Sequence, residues 1–371
     1  MRPPNILFLT LKIFSATGGI EKVCRIVGKV LNEIAINHSS KLVIFSMHDT
    51  EEKCENGYFP QNLYKSFSGN KLSFGIQSLI EGFKSEVLIL SHVNLLLFGY
   101  IIKLLFPSKK LFLFAHGIEV WEKFSTRKMK WLRKCDTIIC VSNFTKQKMI
   151  ALHGIEEAKC VVVNNCIDPY LPRPLTANKS EILLKKYNLS NQNTILLTLS
   201  RLSAHDRPKG YDKVLKAVSE LKIQFPSLVY MIAGKYDAAE KLWLDKMIAA
   251  KDLQSSVVFT GYVADEELAD HFRLADMYVM PSTKEGFGII FIEAMYYGLP
   301  VIAGNKDGST DALGNGKFGL LVDPNNQKEI TEAIRKVIVN RQEYIPFHEE
   351  LMEQFGYETY KKQLLQVFQL N

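Results

Sequence analysis

Residues 285–301 read EGFGIIFIEAMYYGLPV, with two carboxylates, Glu285 and Glu293, eight positions apart. Between them stand Gly286, Phe287 and Gly288, then an apolar run. The Gly-Leu-Pro at 298–300 stops a helix, and Val301 opens a strand. Glu285 is therefore expected on a loop and Glu293 one to two turns into a helix. The backbone N–H groups of Phe287, Gly288 and Ile289 form the start of that helix, where negative charge is stabilised. The spacing predicts that both carboxylates point into one cleft around a bound anion and bind hydroxyl groups on either side of it.

Cations suited to such an anion stand in LTLSRLSAHDRPKGYDKVL, residues 197–215. Arg201 directly follows a strand, and Lys209-Gly210 opens the next helix. An arginine fork and a mobile lysine at a strand exit can converge on a diphosphate. The alternative is a solvated basic loop, of which Arg207 is taken as an instance. Earlier, Gly18-Gly19 in SATGGIEKVCRIV (15–27) lets the backbone approach a ligand at a helix start, or simply makes a tight turn. It lacks the G-x-G-x-x-G dinucleotide fingerprint. His116, between a strand and Gly117, is as consistent with a satisfied structural histidine as with a functional one. Tyr262 and Val263, in the loop before a helix, could line a nucleotide base with backbone groups. By pattern alone they belong to one more αβ unit.

The elements that must hold these residues alternate regularly. Apolar, β-rich runs are read as strands at 5–11, 41–46, 86–90, 110–115, 137–141 and 161–164, with helical periodicity at 20–36, 94–106, 124–134 and 143–153. After a proline-rich stretch at 168–180 the alternation restarts, with strands at 194–200, 228–233, 257–260, 277–280 and 301–303. Continuous apolar strands followed by amphipathic helices predict parallel sheets covered on both faces. The expected fold is α/β: two doubly wound, Rossmann-like domains facing each other across a cleft, with ligands beyond the strands' carboxyl ends. The boundaries are 1–170 and 171–355, with a C-terminal helix at about 356–371 packing back on the first domain.

The balance of 46 Lys+Arg against 39 Asp+Glu, a formal net charge of +7, suits an acidic ligand or an anionic surface. No feature points to nucleic acid. Six cysteines without a C-x-x-C pair or a histidine at ligand spacing argue against disulfides and zinc, and for reduced cytoplasmic thiols. The apolar N-terminus is read as a first strand, since no small-residue cleavage site follows it. Residues 87–106 are long enough to span a bilayer, but Ser91, His92, Asn94 and Lys103 interrupt them. A buried strand, a turn and a packed helix are expected instead. The basic stretch STRKMKWLRKC (125–135) is either a solvated helix face or a surface for an anionic membrane.

The ordered set of motifs resembles the retaining family-four glycosyltransferases, whose E-x7-E motif matches Glu285 and Glu293. The match covers nearly the whole chain: Gly18-Gly19, His116, NCID at 165–168, Arg201 with Lys209-Gly210, EGFG, and GLLVDP at 319–324. The resemblance implies the two-domain GT-B fold, with an acceptor-binding first domain and a nucleotide-sugar-binding second domain. It further implies a diphosphate held by Arg201, Lys209, Gly19 and the amides of Phe287, Gly288 and Ile289. Glu285 would then face the donor sugar, Glu293 the ribose hydroxyls and His116 the far side of the sugar. A UDP- or GDP-sugar is the implied co-substrate, with no cofactor and no metal. A glycan or lipid-linked acceptor in cell-surface polysaccharide or lipopolysaccharide synthesis is the implied partner, and the cytoplasm or the inner membrane face the implied location. Cys166 replaces the usual glycine of N-G-[VI]-D, the loop from Arg201 to Lys209 is long, and Asp311 stands where the family has glutamate.

The implied chemistry is departure of a nucleoside diphosphate from an anomeric carbon, with charge growing on the β-phosphate where cations and amides stabilise it. No nucleophile suited to double displacement stands out, so the resemblance suggests front-face attack by the acceptor hydroxyl. The competing readings are a GT-B epimerase or phosphorylase and a catalytically silent sugar-nucleotide-binding subunit.

Overall fold

A computed structural model describes residues 4–16, 18–50, 57–174 and 179–369. Thr17, Cys54 and part of the proline-rich stretch lie outside them. The chain divides into two compact units, Met1–Tyr170 with Gly356–Asn371, and Leu171–Phe355.

The first unit is built on a seven-stranded parallel sheet. Its strands are β1 (Ile6–Thr10), β2 (Leu42–Ser46), β3 (Tyr64–Ser66), β4 (Val87–Leu90), β5 (Lys110–Ala115), β6 (Thr137–Cys140) and β7 (Cys160–Val162), in the order β3-β2-β1-β4-β5-β6-β7. Register is set by apolar runs that pack on both faces: Ile6 pairs with Leu42 on one side and Val87 on the other, and every residue of β1 and β4 is buried. The expected run through 87–106 is a strand, a turn and a helix, Leu96–Leu105. Among the described residues, no helix is long and apolar enough to cross a membrane. The helix expected over 124–134 is shorter, Thr126–Leu132, started by the Ser125 side chain. Two elements went unexpected here, the edge strand β3 and the helix Lys71–Lys84.

The C-terminal helix Tyr357–Phe368 belongs to this unit. Tyr360, Leu364 and Phe368, four residues apart, form its buried stripe. Phe368 meets Phe112 of β5 edge-on at 5.0 Å, and Lys361 pairs with Glu33 at 2.9 Å.

The second unit carries a six-stranded parallel sheet: β8 (Thr194–Leu199), β9 (Leu228–Ala233), β10 (Val257–Gly261), β11 (Met277–Met280), β12 (Val301–Gly304) and β13 (Leu320–Val322), in the order β10-β9-β8-β11-β12-β13. The chain runs outward from β8 to β10, then returns to lay β11 against β8, with Met277 opposite Leu196. Strand order reverses between β8 and β11. That is the point where an open α/β sheet leaves a crevice for ligand.

Candidate functional site

The loops after β8 and β11 carry Arg201 and Lys209 on one side and Glu285, Gly286, Phe287 and Gly288 on the other. Thr283, past the end of β11, donates its N–H to the Pro208 carbonyl at 2.8 Å. This bond ties the loop to the tight turn Ala204–Lys209. In consequence the Lys209 ammonium meets the Glu285 carboxylate in an ion pair between residues 76 positions apart. Both side chains are largely covered, 20% and 15% exposed. Gly210 lets the turn come this close: its φ is 82°, and a Cβ there would lie 2.5 Å from the Pro281 carbonyl oxygen.

The backbone of Glu285 is clamped from both sides by the loop after β12. Its N–H donates to Asp307 Oδ2 at 2.7 Å, and its carbonyl accepts the Gly308 N–H at 2.8 Å. Asp307 is buried and also accepts the Ser282 hydroxyl at 2.6 Å and the Ser309 N–H at 2.9 Å. Burial pushes its carboxyl up to about 6; the Ser282 and Ser309 bonds pull it down, and the charge of Glu285 adds to the rise. A Cβ on Gly308 would fall 2.0 Å from the Gly286 carbonyl oxygen, so the clamp closes only around glycine.

Gly288, at φ 87°, turns the chain into the helix Ile289–Tyr296, which has no side-chain cap. Phe287 is buried against Phe355 at 5.9 Å and anchors the loop. Glu293 lies inside this helix and is 1% exposed. Both glutamates bear on the buried Tyr278: burial raises its hydroxyl far above the ordinary value, and the charges of Glu285 and Glu293 add to that rise.

Of the two cations, Lys209 is held by Glu285, while the Arg201 side chain is 83% exposed with a guanidinium nitrogen 3.6 Å from Asp206. Arg207, read as a solvated charge, is exposed, and it also has a buried partner. Its Nε lies 3.0 Å and its Nη2 2.8 Å from the carboxylate oxygens of the buried Glu240, and its guanidinium sits 4.0 Å from the Trp243 ring centroid. Tyr211 completes the cluster by donating to Glu240 at 2.7 Å. Arg207 thus fastens the turn that presents Lys209. Tyr262 and Val263 follow the turn at Gly261 (φ 71°), with Tyr262 exposed and Val263 half-buried.

In the first unit, Gly18 starts the helix Gly19–His38 without a side-chain cap. A Cβ on Gly18 would meet the Glu21 carboxylate at 2.4 Å. The loop before it is shaped by Asp49, a residue the sequence reading passed over. Its carboxylate accepts the N–H groups of Ile13 at 2.7 Å and Ser15 at 2.9 Å, and the hydroxyls of Ser46 and Tyr64 at 2.8 Å each. These bonds hold its carboxyl below the usual range in spite of burial. His116, at the end of β5, is buried, and burial lowers its pKa. Its Nε2 lies 2.8 Å from the Ser91 carbonyl. A carbonyl can only accept, so in the neutral ring Nε2 carries the proton.

Among the described residues no group of three His, Cys, Asp or Glu side chains is placed to hold a metal ion. Cys24, Cys135, Cys140, Cys160 and Cys166 are buried free thiols.

Two family models match the chain: Glycosyltransferase Family 4 over residues 17–171 and Glycosyl transferases group 1 over 179–362. The chain is 30% identical over 213 residues to a GDP-mannose-dependent alpha-(1-6)-phosphatidylinositol monomannoside mannosyltransferase of Mycobacterium tuberculosis, covering 56% of this chain and 53% of that protein. It is 27% identical over 210 residues to mannosylfructose-phosphate synthase of Agrobacterium fabrum, covering 55% and 45%. The chain thus spans about half the length of the curated relatives it matches. Among solved structures, Anabaena Alr3699/HepE in complex with UDP aligns with a TM-score of 0.79 at 20% identity, over 98% of this chain and 99% of that one. The likeness is one of fold, two Rossmann-like parallel sheets in a single chain as in GT-B enzymes. With one family model on each half and the E-x7-E pair seated at the reversal of the second sheet, the chain belongs to the group 1, family-four glycosyltransferases.

Proposed function

We propose that the chain is a retaining glycosyltransferase. It moves a hexose-type sugar from a UDP- or GDP-sugar to a hydroxyl of a glycan or lipid-linked acceptor in cell-surface polysaccharide or lipopolysaccharide synthesis. It needs no metal, and it works in the cytoplasm with peripheral contact to the inner membrane face. The observation that carries this reading is the Lys209–Glu285 pair, clamped by Asp307 and Gly308 beside the uncapped start of the Ile289–Tyr296 helix. The relatives' names, one GDP-mannose-dependent and one crystallised with UDP, support a nucleotide-sugar donor.

In this reading the second unit binds the donor. The Lys209 ammonium has three N–H donors, and Glu285 engages only part of that set. The rest serve the β-phosphate, joined by Arg201, whose exposed guanidinium is free to swing from Asp206, and by the amides of Phe287, Gly288 and Ile289. These groups neutralise charge as the diphosphate departs, and most of them are fixed before the reaction begins. Glu285 sits beside the sugar, where its charge favours an oxocarbenium-like centre, and Glu293 takes the ribose hydroxyls. Backbone groups of Tyr262 and Val263 line the base. The first unit contributes Gly18, Gly19 and the Nε2-protonated His116, and it reads the acceptor. The acceptor hydroxyl attacks on the face the diphosphate leaves, passing its proton to the leaving phosphate, so the anomeric configuration is kept.

A panel of UDP- and GDP-sugars tests this by thermal shift. A ligand at a hundredfold excess over its Kd stabilises the folded state by about 2.7 kcal/mol. A rise with one nucleotide sugar, followed by transfer with retained anomeric configuration, is the expected result. No shift with any donor, or inversion in the product, refutes it.

A further inference from the structure

Three consecutive helices of the first unit pack side by side, the first on the second and the second on the third: Lys71–Lys84, Leu96–Leu105 and Thr126–Leu132. Phe74, Leu96, Ile102 and Leu132 plug them into the same core. The first helix is apolar on a second face as well. Leu72, Ile76, Ile80 and Phe83 are 75%, 51%, 49% and 53% exposed. At 3.6 residues per turn they fall within about 80° of one another, away from the buried Phe74, Ser78 and Gly82. The next helix repeats this, exposing Leu97, Leu104 and Leu105. Glycines bring the two ridges together: a Cβ on Gly75 would be 3.1 Å from Phe98 and one on Gly82 2.3 Å from Ile102. Phe83 meets Phe106 at 4.4 Å across the gap. A soluble surface seldom leaves so many neighbouring large side chains in water.

The third helix supplies the charge. Residues 123–134 hold six cations and no carboxylate. Trp131 packs 6.4 Å from Tyr100 of the middle helix, and the Lys130 ammonium lies 5.7 Å from that ring. An open groove is lined by Phe124, Thr126, Met129, Lys130, Arg133 and Lys134. On the other side, Lys109 sits 5.2 Å from the Phe106 ring. An apolar ridge thus runs between cations.

We infer that this three-helix face seats on an anionic lipid bilayer, its apolar ridge entering the acyl boundary while Lys130, Arg133 and Lys134 meet lipid phosphates. Burying Leu, Ile and Phe side chains supplies attraction that salt does not weaken, and the cations add attraction that salt screens. A second copy of the chain is the poorer occupant. A two-fold contact would set each cationic rim near its own image, a like-charge cost a lipid surface does not impose. The inference rests on the membrane contact in the proposed function but not on the transfer chemistry, and lipid binding is read without donor or acceptor.

The experiment is flotation of the full chain with phosphatidylcholine vesicles, with and without phosphatidylglycerol, at low and high salt. The wild type is expected to float with the anionic vesicles and to lose part of that binding at high salt. Ile76→Glu with Ile80→Glu should cut binding at least tenfold at both salt levels, with an unchanged melting temperature because both sites are exposed. Lys130→Glu with Lys134→Glu should remove the salt-sensitive part only. Absence of flotation on either vesicle overturns the inference. So does equal flotation of wild type and both variants. Concentration-dependent dimerisation abolished by the Ile76 and Ile80 pair, without vesicle binding, overturns it in favour of a second copy.

Discussion

The Asp307 carboxylate accepts the backbone N–H of Glu285 at 2.7 Å, so a buried acid at the end of one strand sets the position of the acid beyond the next. Its pKa is raised from 3.8 to about 6, chiefly by burial. A carboxyl with a raised folded-state pKa stabilises the fold fully below its unfolded value and loses that contribution as pH rises through the folded one. At 1.36 kcal/mol per unit this amounts to at most roughly 3 kcal/mol, lost between about pH 4 and 6. Chemical denaturation of wild type and Asp307→Asn across that window should show a declining difference that levels off above pH 6. Activity should move the opposite way. Protonation takes an acceptor from Glu285 or Ser282, so turnover falls below about pH 6, and this limb is absent from the Asp307→Asn profile.

Glu285 and Glu293 are expected to separate kinetically. Glu293→Gln should mainly raise the KM for donor, an effect on ground state and transition state alike. Glu285→Gln keeps its shape but removes the charge beside the sugar and the partner of Lys209, so kcat should drop about a hundredfold or more. Steady-state kinetics of both with one donor decides. Loss of turnover in Glu293→Gln with only weakened binding in Glu285→Gln would reverse the roles.

Gly210→Ala tests the turn that presents Lys209. A left-handed φ costs a non-glycine residue about 1–2 kcal/mol, and the clash with the Pro281 carbonyl adds to it. Melting temperature should fall, and KM for donor should rise as Lys209 is displaced. An unchanged KM would mean that Lys209 does not touch the donor.

Activity is expected to survive EDTA, because Lys209, Arg201 and the helix amides meet the diphosphate's charge. Turnover abolished by chelator and restored by magnesium or manganese would refute that assignment.

Phe368→Ala should weaken the first unit alone. The ring is 2% exposed and packs on Phe112, and emptying such a site costs about 3–5 kcal/mol. Hydrogen exchange should quicken in β1–β7 and leave β8–β13 unchanged.

Much of this architecture is legible in the sequence, because β4, β9 and β11 are unbroken apolar runs and β1 is one up to Thr10. Of the three three-residue edge strands, β7 lies in an apolar run and was read, whereas β3 and β13 are too short for periodicity to register and owe their shape to a neighbour. The helix Lys71–Lys84 hid because apolar residues cover two of its faces, which blurs the pattern. In the site, Glu285 and Glu293 were readable from their spacing around a helix start. Asp307 was not: its role depends on where β12 ends beside β11, and only a carboxylate just past a strand exit hinted at it. The pairing of Arg207 was not legible for the same kind of reason, as its partner Glu240 lies 33 residues away.

The helix Tyr357–Phe368 completes the first unit, although the whole second unit separates it from β7. On the ribosome this inverts the usual order. Residues 171–355 are contiguous and can reach their final packing as soon as they emerge. The half that was synthesised first must wait with the Phe112 side of its sheet uncovered until Tyr360, Leu364 and Phe368 arrive. For that interval the older half is the one that needs protection from aggregation and proteolysis.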